Sequence, residues 1–461
     1  MKFHLSFRAA MILLIAFITI PAFAQDNEGI VSRNASSPRS TTHPADAPLP
    51  SVVSRYKADD GATGEVLIRR ALASNIDLAA ARLDIQRARA RLSQARLIPN
   101  PTIEFEQTTG NLTGSQGERE TSIGFSLPLE ISGQRRSRID LARVELEAAE
   151  AEIADRERRL VAEVRAAFAE TLALIRELEI TEGINSLDTQ TARLVEARVT
   201  EGESAPIELN LLRVEVDRLK SRRALIEGRL QSAMLRLKTL TGIPANEPLR
   251  VREDLAAPPS VNPPASLEAA IDIALRSRPD LRLARLAEKA AEAGLQLARA
   301  QSRPDVTAFT KYSSVRSTFD DTPVGVLRDK DKLLTFGVSI SLPFFNRNQG
   351  AKAEATTAII QAQRRREFVE QLIRAEVAGA YTRYEAAQSA IAVFEQGVLA
   401  RSSQNVQSIR AAYQLGAFRL TELLVEQRRS LDSEREFIEA LAERHRSLAD
   451  LLSAIAAPID K

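Results

Sequence analysis

The sequence reads TSIGFSLP at residues 121–128 and LLTFGVSISLP at residues 333–343. Apolar and small polar residues alternate in both stretches, which is typical of a β-strand with one apolar and one polar face. Such strands suit either a membrane barrel, with one face toward lipid, or the half-buried hairpin of a soluble protein. Each stretch ends in a proline, which cannot donate a ladder hydrogen bond. We therefore expect each to be one complete strand of a hairpin.

The surrounding sequence occurs twice, in the same order. The segment ALASNIDL at 71–78 matches ALRSRPDL at 274–281. Further matches follow in order, namely Pro101 with Pro304, Ser-Leu-Pro at 126–128 with 341–343, Phe168 with Tyr381, and Gly202 with Gly416. A collinear series of this kind indicates a duplicated structural unit. We predict one repeat at 63–243 and a second at 266–457, joined by a Pro-rich connector at 244–265.

Each repeat predicts a helix, a strand hairpin, a long helix and a return helix. The predicted helices span 63–97, 132–200 and 206–241 in the first repeat and 266–300, 349–414 and 420–456 in the second. The predicted strands span about 102–108, 121–127, 305–312 and 333–342. The long helix of the first repeat would extend about 100 Å at 1.5 Å per residue. The two shorter helices together match that length, so they can stack end to end beside it.

The long helices show heptad spacing. Apolar positions recur at steps of four and three residues alternately, as they do in coiled coils. In the second repeat these positions are Ile373, Val377, Ala380, Tyr384, Ala387, Ile391, Phe394 and Val398. A filamentous coiled coil would fit this periodicity, but the alternating strands argue against it. The combination predicts a mainly α protein with a small β component.

The N-terminus has the features of an export signal. Lys2 and Arg8 flank the start of an apolar run at 9–20, and small residues follow up to Ala24, so residues 1–24 are predicted to be a signal peptide. A single transmembrane anchor is the alternative, although the run is short for a bilayer span. Residues 25–62 are rich in Ser, Pro, Thr and Asp and are predicted to be a disordered tether.

Composition argues against several function classes. The chain has no cysteine, only three histidines, and 63 basic against 61 acidic residues. No cysteine nucleophile or thiolate metal site is available, and the interspersed charges do not form a phosphate-binding face. The histidines, His4, His43 and His445, are far apart in the sequence. We expect no enzymatic activity, no cofactor, no metal-binding site and no nucleic-acid partner.

Four predicted strands are too few to close a barrel, and open sheet edges are not tolerated in lipid. If the strands cross a membrane, several copies of the chain must pool them. Hydrogen-bond accounting therefore predicts a homo-oligomer in contact with membrane lipid.

Two motifs stand where a predicted strand turns into a long helix: LPLEISGQRR at 127–136 and LPFFNRNQG at 342–350. With the duplicated plan, they make residues 64–456 resemble the outer membrane factor family typified by TolC, and in particular its cobalt-zinc-cadmium cation-efflux branch. The resemblance implies a mainly α fold with transmembrane β-strands. Four barrel strands per chain would join in a homotrimer in the bacterial outer membrane, above a long periplasmic α-helical coiled-coil barrel.

The resemblance also assigns roles to particular residues. Strand-to-helix turns would contain Pro128, Gly133, Pro343 and Asn348. Periplasmic tips that contact an adaptor would contain Arg198, Gly202, Ser204, Glu208, Tyr413, Gly416, Arg419 and Glu422. The glycines in these tips supply the permissive backbone that a helix reversal needs. Gln407 and Arg410 stand where TolC has aspartates, so they are a candidate pore constriction without an acidic ring.

The implied function is a passive exit duct for heavy-metal cations in a tripartite, RND-type efflux system. Its partners would be a periplasmic membrane fusion (adaptor) protein and an inner-membrane RND transporter. One alternative keeps the duct but assigns it to drug efflux or type I polypeptide secretion. An alternative of another class is a periplasmic adaptor or a structural coiled-coil protein.

Overall fold

A computed structural model describes residues 52–112, 117–258, 261–319, 325 and 327–457. The predicted signal peptide at 1–24 and the predicted tether as far as residue 51 lie outside these residues. Among the helices it describes, none combines the length and the apolar character needed to cross a bilayer.

The first repeat follows a short 3-10 turn at Val52–Arg55. Its elements are strand β1 (Lys57–Ala62), helices α1 (Gly64–Ser74) and α2 (Ile76–Ala95), strands β2 (Thr102–Thr109) and β3 (Arg119–Leu129), and helices α3 (Gln134–Thr200) and α4 (Pro206–Thr241). The 67 residues of α3 give it a length of about 100 Å.

The second repeat has the same plan. Its elements are helices α5 (Leu267–Ser277) and α6 (Pro279–Ala300), strands β4 (Asp305–Phe319) and β5 (Leu327–Ser341), and helices α7 (Gln349–Val393), α8 (Leu399–Gln414) and α9 (Leu420–Ala454). A π-helical turn at Phe394–Val398 separates α7 from α8, so the single helix predicted at 349–414 is interrupted. Gly397 in this turn has a φ angle of 155°, which residues with a side chain rarely adopt, and this explains the glycine at that position.

The first predicted helix of each repeat is two helices. Asn75 has an extended backbone, accepts a hydrogen bond on Oδ1 from the Leu78 amide at 2.9 Å, and donates from Nδ2 to the Leu240 carbonyl at 3.0 Å. Arg278 takes the same place in the second repeat, where Pro279 begins α6 without an N–H. The single helices predicted at 63–97 and 266–300 are therefore wrong, because a cap residue starts a new helix at each position.

The four strands β2, β3, β4 and β5 form one antiparallel sheet in that order. The second hairpin is longer than predicted, because β4 continues from residue 312 to 319 and β5 begins at 327 instead of 333. The added part pairs polar residues, such as Ser314 with Lys332 and Arg316 with Lys330. It lacks the apolar alternation on which the prediction depended, and backbone pairing alone extends the ladder.

The end of the predicted tether is structured. In β1, Ala62 N donates to the Arg250 carbonyl at 2.8 Å, and Val251 N donates to the Tyr56 carbonyl at 2.8 Å. At Gly61 an added Cβ would lie 2.5 Å from the backbone of fully buried Val251, so this close approach requires glycine. The prediction of disorder up to residue 62 is wrong for this segment, because it pairs with a strand-like segment of the connector far away in sequence.

Helix α3 is the central element of the helical part. Near the sheet it packs between α2 and α6, and farther away it packs between α4 and α9. Helix α7 packs on α6 and α9, and α8 packs on α9. Six of the eight predicted heptad positions, Ile373, Val377, Ala380, Tyr384, Ala387 and Ile391, are buried, which confirms the register within α7. The last two, Phe394 and Val398, lie in the π-helical turn and are only half-buried, because the turn shifts the register there.

Candidate functional site

The sheet has one apolar face. Residues that pair directly across antiparallel strands lie on the same side, and the register aligns Phe105 with Ile123, Ile123 with Tyr312, and Tyr312 with Leu334. The exposed apolar side chains on this face include Ile103, Phe105, Ile123, Phe125, Tyr312, Leu334, Phe336, Val338 and Ile340. From Leu334 to Leu342 this band is about 26 Å long at 3.3 Å per residue, close to the apolar height of a membrane barrel.

The opposite face of the sheet is largely polar. Lys311 Nζ donates to Glu106 Oε2 at 2.7 Å, and the Ser122 hydroxyl donates to the same carboxylate oxygen at 3.4 Å. On this face the Phe309 ring lies over Gly337, where an added Cβ would come within 2.4 Å of the ring. One face of the sheet is thus apolar and the other carries ionised groups. This is the arrangement of a membrane barrel, in which one face of each strand contacts lipid and the other lines a water-filled lumen.

The predicted turn residues lie at one end of this sheet. Pro128 occupies the second-last pair of β3, and Pro343 follows the end of β5. Gly133 and Asn348 have positive φ angles of 83° and 55° immediately before α3 and α7. Neither residue caps its helix through a side chain. Gly133 and Asn348 therefore shape these turns through their left-handed backbone conformation.

Glutamine side chains support these two turns instead. Gln134 Oε1 accepts a hydrogen bond from the Ser132 amide at 3.2 Å, and Gln349 Oε1 accepts one from the Arg347 amide at 2.7 Å. Each glutamine is the first residue of its helix and each amide lies two residues before it. The duplicated sequence has therefore produced the same strand-to-helix turn twice, on the predicted residues Gly133 and Asn348.

The two predicted tips are the same helix termination. Gly202 and Gly416 have φ angles of 82° and 74°. After α3, the Glu203 amide donates to the Arg198 carbonyl at 2.8 Å, and after α8 the Ala417 amide donates to the Ala412 carbonyl at 2.9 Å. This six-to-one hydrogen bond after a left-handed residue is the Schellman motif. Both glycines are therefore required by backbone geometry, as the sequence predicted.

The next helix starts within four residues of each glycine. At the first tip, Ser204 is half-buried and its amide donates to the Arg198 carbonyl at 3.3 Å, while Glu208 lies in the first turn of α4. At the second tip, Glu422 Oε2 accepts a hydrogen bond from the exposed Arg419 amide at 3.0 Å. Acidic side chains are favourable at such helix N-termini because they face the positive end of the helix dipole.

The structure brings the two tips together. A buried cluster joins Val195, Leu209 and Leu212 of the first tip to Leu420 and Leu423 of the second. Burial raises the pKa of Tyr413, the negative charge of Glu208 raises it further, and Arg198 opposes the shift. Three of the predicted tip residues, Arg198, Glu208 and Tyr413, thus share one electrostatic environment.

Two exposed apolar residues extend the tip surface. They are Leu415, which is 86% exposed, and Phe418, and the sequence interpretation missed both.

The candidate constriction residues differ in their surroundings. Gln407 is exposed on α8, whereas Arg410 is half-buried. Nη2 of Arg410 is buried and lacks a hydrogen-bond partner among the described residues. Its positive charge acts on Asp188 of α3, a buried carboxylate that the sequence interpretation did not single out. A narrow pore at Gln407 and Arg410 stays a prediction.

The described residues contain no group of three or more histidine, aspartate or glutamate side chains placed to hold a metal ion. His445 is held by a hydrogen bond of 2.9 Å between Nε2 and the Leu255 carbonyl, and burial lowers its pKa. Its observed contact is therefore structural, between α9 and the connector.

Known proteins match this arrangement. The family model described as outer membrane efflux protein matches residues 67–243 and 270–457, the two repeats. The cobalt-zinc-cadmium resistance protein CzcC of Cupriavidus metallidurans is 23% identical over 84% of this chain and 88% of its own length. The pyoverdine export outer membrane protein OpmQ of Pseudomonas putida is 27% identical over 85% of this chain and 83% of its own.

The cation efflux system protein CusC of Escherichia coli K12 is 28% identical over 81% of each chain. A solved structure of CusC has a TM-score of 0.72 and 25% identity over 88% of this chain and 96% of the CusC chain. The family match covers both repeats, and the shared fold contains both the helices and the two-faced sheet. The chain therefore belongs to the outer membrane efflux protein family, as an efflux channel of the outer membrane with a TolC-like fold and a periplasmic helical tunnel.

Proposed function

We propose that this chain is the passive exit duct of a tripartite efflux system and that its cargo is heavy-metal cations. The observation that carries the proposal is the arrangement of the open edges. In the sheet, β2 is one edge strand and β5 is the other. Around α3, the outermost helices are α2 and α4 on one side and α7 and α8 on the other.

Each side of the molecule thus belongs to a single repeat. Strand β2 and helices α2 and α4 come from the first repeat, and β5, α7 and α8 come from the second. A second copy can pair its β5 with β2 while its α7 and α8 pack on α2 and α4. Such a contact between unlike surfaces generates a closed ring when the rotation closes. Ring closure satisfies every edge amide, which a membrane requires.

A homotrimer with an adaptor and an RND pump is the assembly that we propose. The exposed tip surface, which includes Leu415, Phe418 and Arg419, lies at the end of the helices away from the sheet and suits a periplasmic partner. In this assembly the RND pump supplies the driving force and the duct performs no catalytic step. The predicted tip residues Gly202 and Gly416 would shape the surface that the adaptor meets.

The adaptor contact can be tested with a charge reversal. Arg419→Glu reverses the charge of an exposed side chain. It keeps the backbone amide of residue 419, which donates a hydrogen bond to the Glu422 carboxylate. We expect less adaptor to co-purify with the variant, at an unchanged yield of trimer. The matched control is Arg276→Glu on α5, whose side chain is also exposed and which lies far from the tip and outside the proposed contact between copies. Equal adaptor recovery with both variants would remove Arg419 from the contact.

Heavy-metal cargo is supported by the names of two relatives, the cobalt-zinc-cadmium resistance protein CzcC and the cation efflux protein CusC. The motif at 342–350 points to the same branch. Similarity to the pyoverdine exporter OpmQ supports a second candidate, the export of a small organic chelator.

Deleting the gene and measuring growth with zinc, cobalt, cadmium, copper and nickel tests the cargo. We expect lower tolerance to at least one of these metals, restored by a plasmid copy of the full chain. Unchanged tolerance to all five would reject metal cargo. Retention of a siderophore inside the deletion strain, with normal metal tolerance, would support the second candidate.

A further inference from the structure

All four connections between sheet and helices lie at one end of the sheet. Thr102 pairs with Ser126, Leu129 with Val306, and Asp305 with Ser341. The start of β2, the end of β3, the start of β4 and the end of β5 are therefore at one level. We call the connections 96–101, 130–133, 302–304 and 342–348, together with the first turn of α3 at 134–138, the collar.

The collar exposes large apolar side chains. Phe345 is 96% exposed, next to exposed Phe344, and Ile131 occupies a similar place after β3. The exposed members of the set are Leu97, Ile98, Ile131, Leu342, Phe344 and Phe345. They continue the apolar face of the sheet toward the helices. Aromatic and aliphatic side chains at this level are typical of the boundary between acyl chains and headgroups.

The collar is also cationic. It contains six arginines, Arg96, Arg135, Arg136, Arg138, Arg303 and Arg347, and a single carboxylate, Glu130. Arg138 pairs with Glu130 at 2.6 Å, whereas Arg135 and Arg303 donate to backbone carbonyls, of Arg96 at 2.6 Å and of Ser132 at 3.2 Å. The five arginines other than Arg138 therefore carry the excess positive charge.

Arg136 and Arg347 have exposed side chains that can meet a ligand. The Arg136 side chain is 90% exposed, and its recorded ion pair, with Asp140, is 3.9 Å long. Exposed Arg347 makes no ion pair with any residue that the structure describes. Arg136 follows Ile131 in the first repeat and Arg347 follows Phe345 in the second. Each repeat therefore places an exposed guanidinium a few residues after an exposed apolar side chain.

We propose that the collar binds anionic glycerophospholipids, with Arg136 and Arg347 on the headgroup phosphates and Phe345 and Ile131 at the top of the acyl chains. The inference rests on the membrane barrel of the proposed function. Guanidinium groups pair with phosphate oxygens in a bidentate manner. The other end of the sheet differs, because Arg328, Lys330 and Lys332 alternate there with Asp329 and Asp331.

The test compares full-length wild type with Arg136→Gln/Arg347→Gln, reconstituted in phosphatidylcholine bilayers that contain phosphatidylglycerol. The matched control, Arg328→Gln/Lys330→Gln, removes the same charge at the other end of the sheet. Mass spectrometry of the lipids that remain on detergent-extracted protein gives the ratio of the two lipids. We expect phosphatidylglycerol enrichment in the wild type and the control, and a loss of about fivefold per arginine in the collar variant.

Three outcomes would overturn the proposal. In the first, the wild type carries the two lipids in their bulk ratio; in the second, the control loses as much enrichment as the collar variant does. In both cases the chain inserts and the membrane barrel stands. Failure of the wild type to enter bilayers at all would reject the barrel together with the collar site. High salt should reduce the enrichment, because the contact is electrostatic.

Discussion

Gln427 of α9 donates a hydrogen bond of 3.1 Å from Nε2 to Oδ1 of Asp188 on α3, inside the packed helices. Asp188 is only 2% exposed. Burial raises its pKa from an ordinary 3.8 to about 6; Gln427 and Arg410 of α8 oppose the rise, and Glu215 of α4 adds to it. The contact therefore joins α3 and α9 through a carboxyl group that titrates near neutral pH.

Asp188→Asn should remove a pH dependence of stability. Because the folded-state pKa is raised, the folded protein binds a proton that the unfolded chain releases above about pH 4. The contribution of this group to stability is fully present below that pH and is lost as pH rises through about 6, by about 2–3 kcal/mol. Asparagine stays neutral and can still accept from Gln427. We expect the variant to melt a few degrees above wild type at pH 8 and close to it at pH 4, where the carboxyl group is protonated in the folded wild type.

The matched control is Asp217→Asn, whose side chain is 74% exposed on α4. Thermal unfolding of the detergent-solubilised protein at the two pH values measures both variants. A constant difference between Asp188→Asn and wild type from pH 4 to pH 8 would show that the buried carboxyl does not titrate in this range.

Alanine at the tip glycines should destabilise the tips. Gly202 and Gly416 have positive φ, and an added Cβ meets nothing within 4 Å at either site. The cost is then backbone strain alone, about 1 kcal/mol for each substitution. Gly183→Ala and Gly228→Ala are the controls, because these glycines lie within α3 and α4 with equally open space.

The controls should be stabilised, because alanine has the higher helix propensity. Hydrogen exchange of the amides at 199–204 and 413–418 should accelerate in the tip variants alone. Equal exchange in the Gly202→Ala and Gly228→Ala proteins would contradict the assigned role of the left-handed backbone.

The duplicated plan, the coiled-coil register and the tip glycines could be predicted because each is written in local sequence. Heptad positions such as Ile373 and Val377 can be recognised from their spacing alone, without knowledge of distant contacts, and both are fully buried. A turn that needs positive φ leaves a glycine in the sequence, as Gly416 shows. The break at Arg278 also had a local signal, Pro279, which favours the first position of a helix.

Other features depend on distant partners and leave little local trace. Segment Lys57–Ala62 reads KADDGA, a composition poor for strands, and it pairs only because Val251 lies beside it. Asp188 looks like any exposed residue of a polar helix until α9 brings Gln427 against it. The structure gives the positions of the site residues that were assigned by resemblance. The partner protein that each tip residue contacts is a prediction.

Arg278 should be far more important than its neighbour Arg276. The Arg278 side chain is 2% exposed and pairs at 2.6 Å with both Asp280 and Glu376, which ties α6 to α7. Arg278→Gln leaves the carboxylates of Asp280 and Glu376 without their cation, and because both are partly exposed we expect a loss of about 1.5–3 kcal/mol. The Arg276 side chain is 78% exposed and pairs with Asp272, so Arg276→Gln should change stability by less than about 1 kcal/mol. Chemical denaturation distinguishes them; similar midpoints would contradict the buried network.

Gly337→Ala should disrupt the sheet through a steric clash that a second substitution relieves. An added Cβ would lie 2.4 Å from the tip of the Phe309 ring, so the ring would have to leave its place over residue 337 on the lumen-facing side of the sheet. We expect a large loss of assembled protein in the outer-membrane fraction. Gly124→Ala is the matched control, because its Cβ would meet Glu104 at an ordinary 3.6 Å. Combining Gly337→Ala with Phe309→Ala removes the ring and should restore assembly. If the double variant assembles no better than Gly337→Ala, the clash is not the cause, and the backbone freedom of glycine must be what the strand needs.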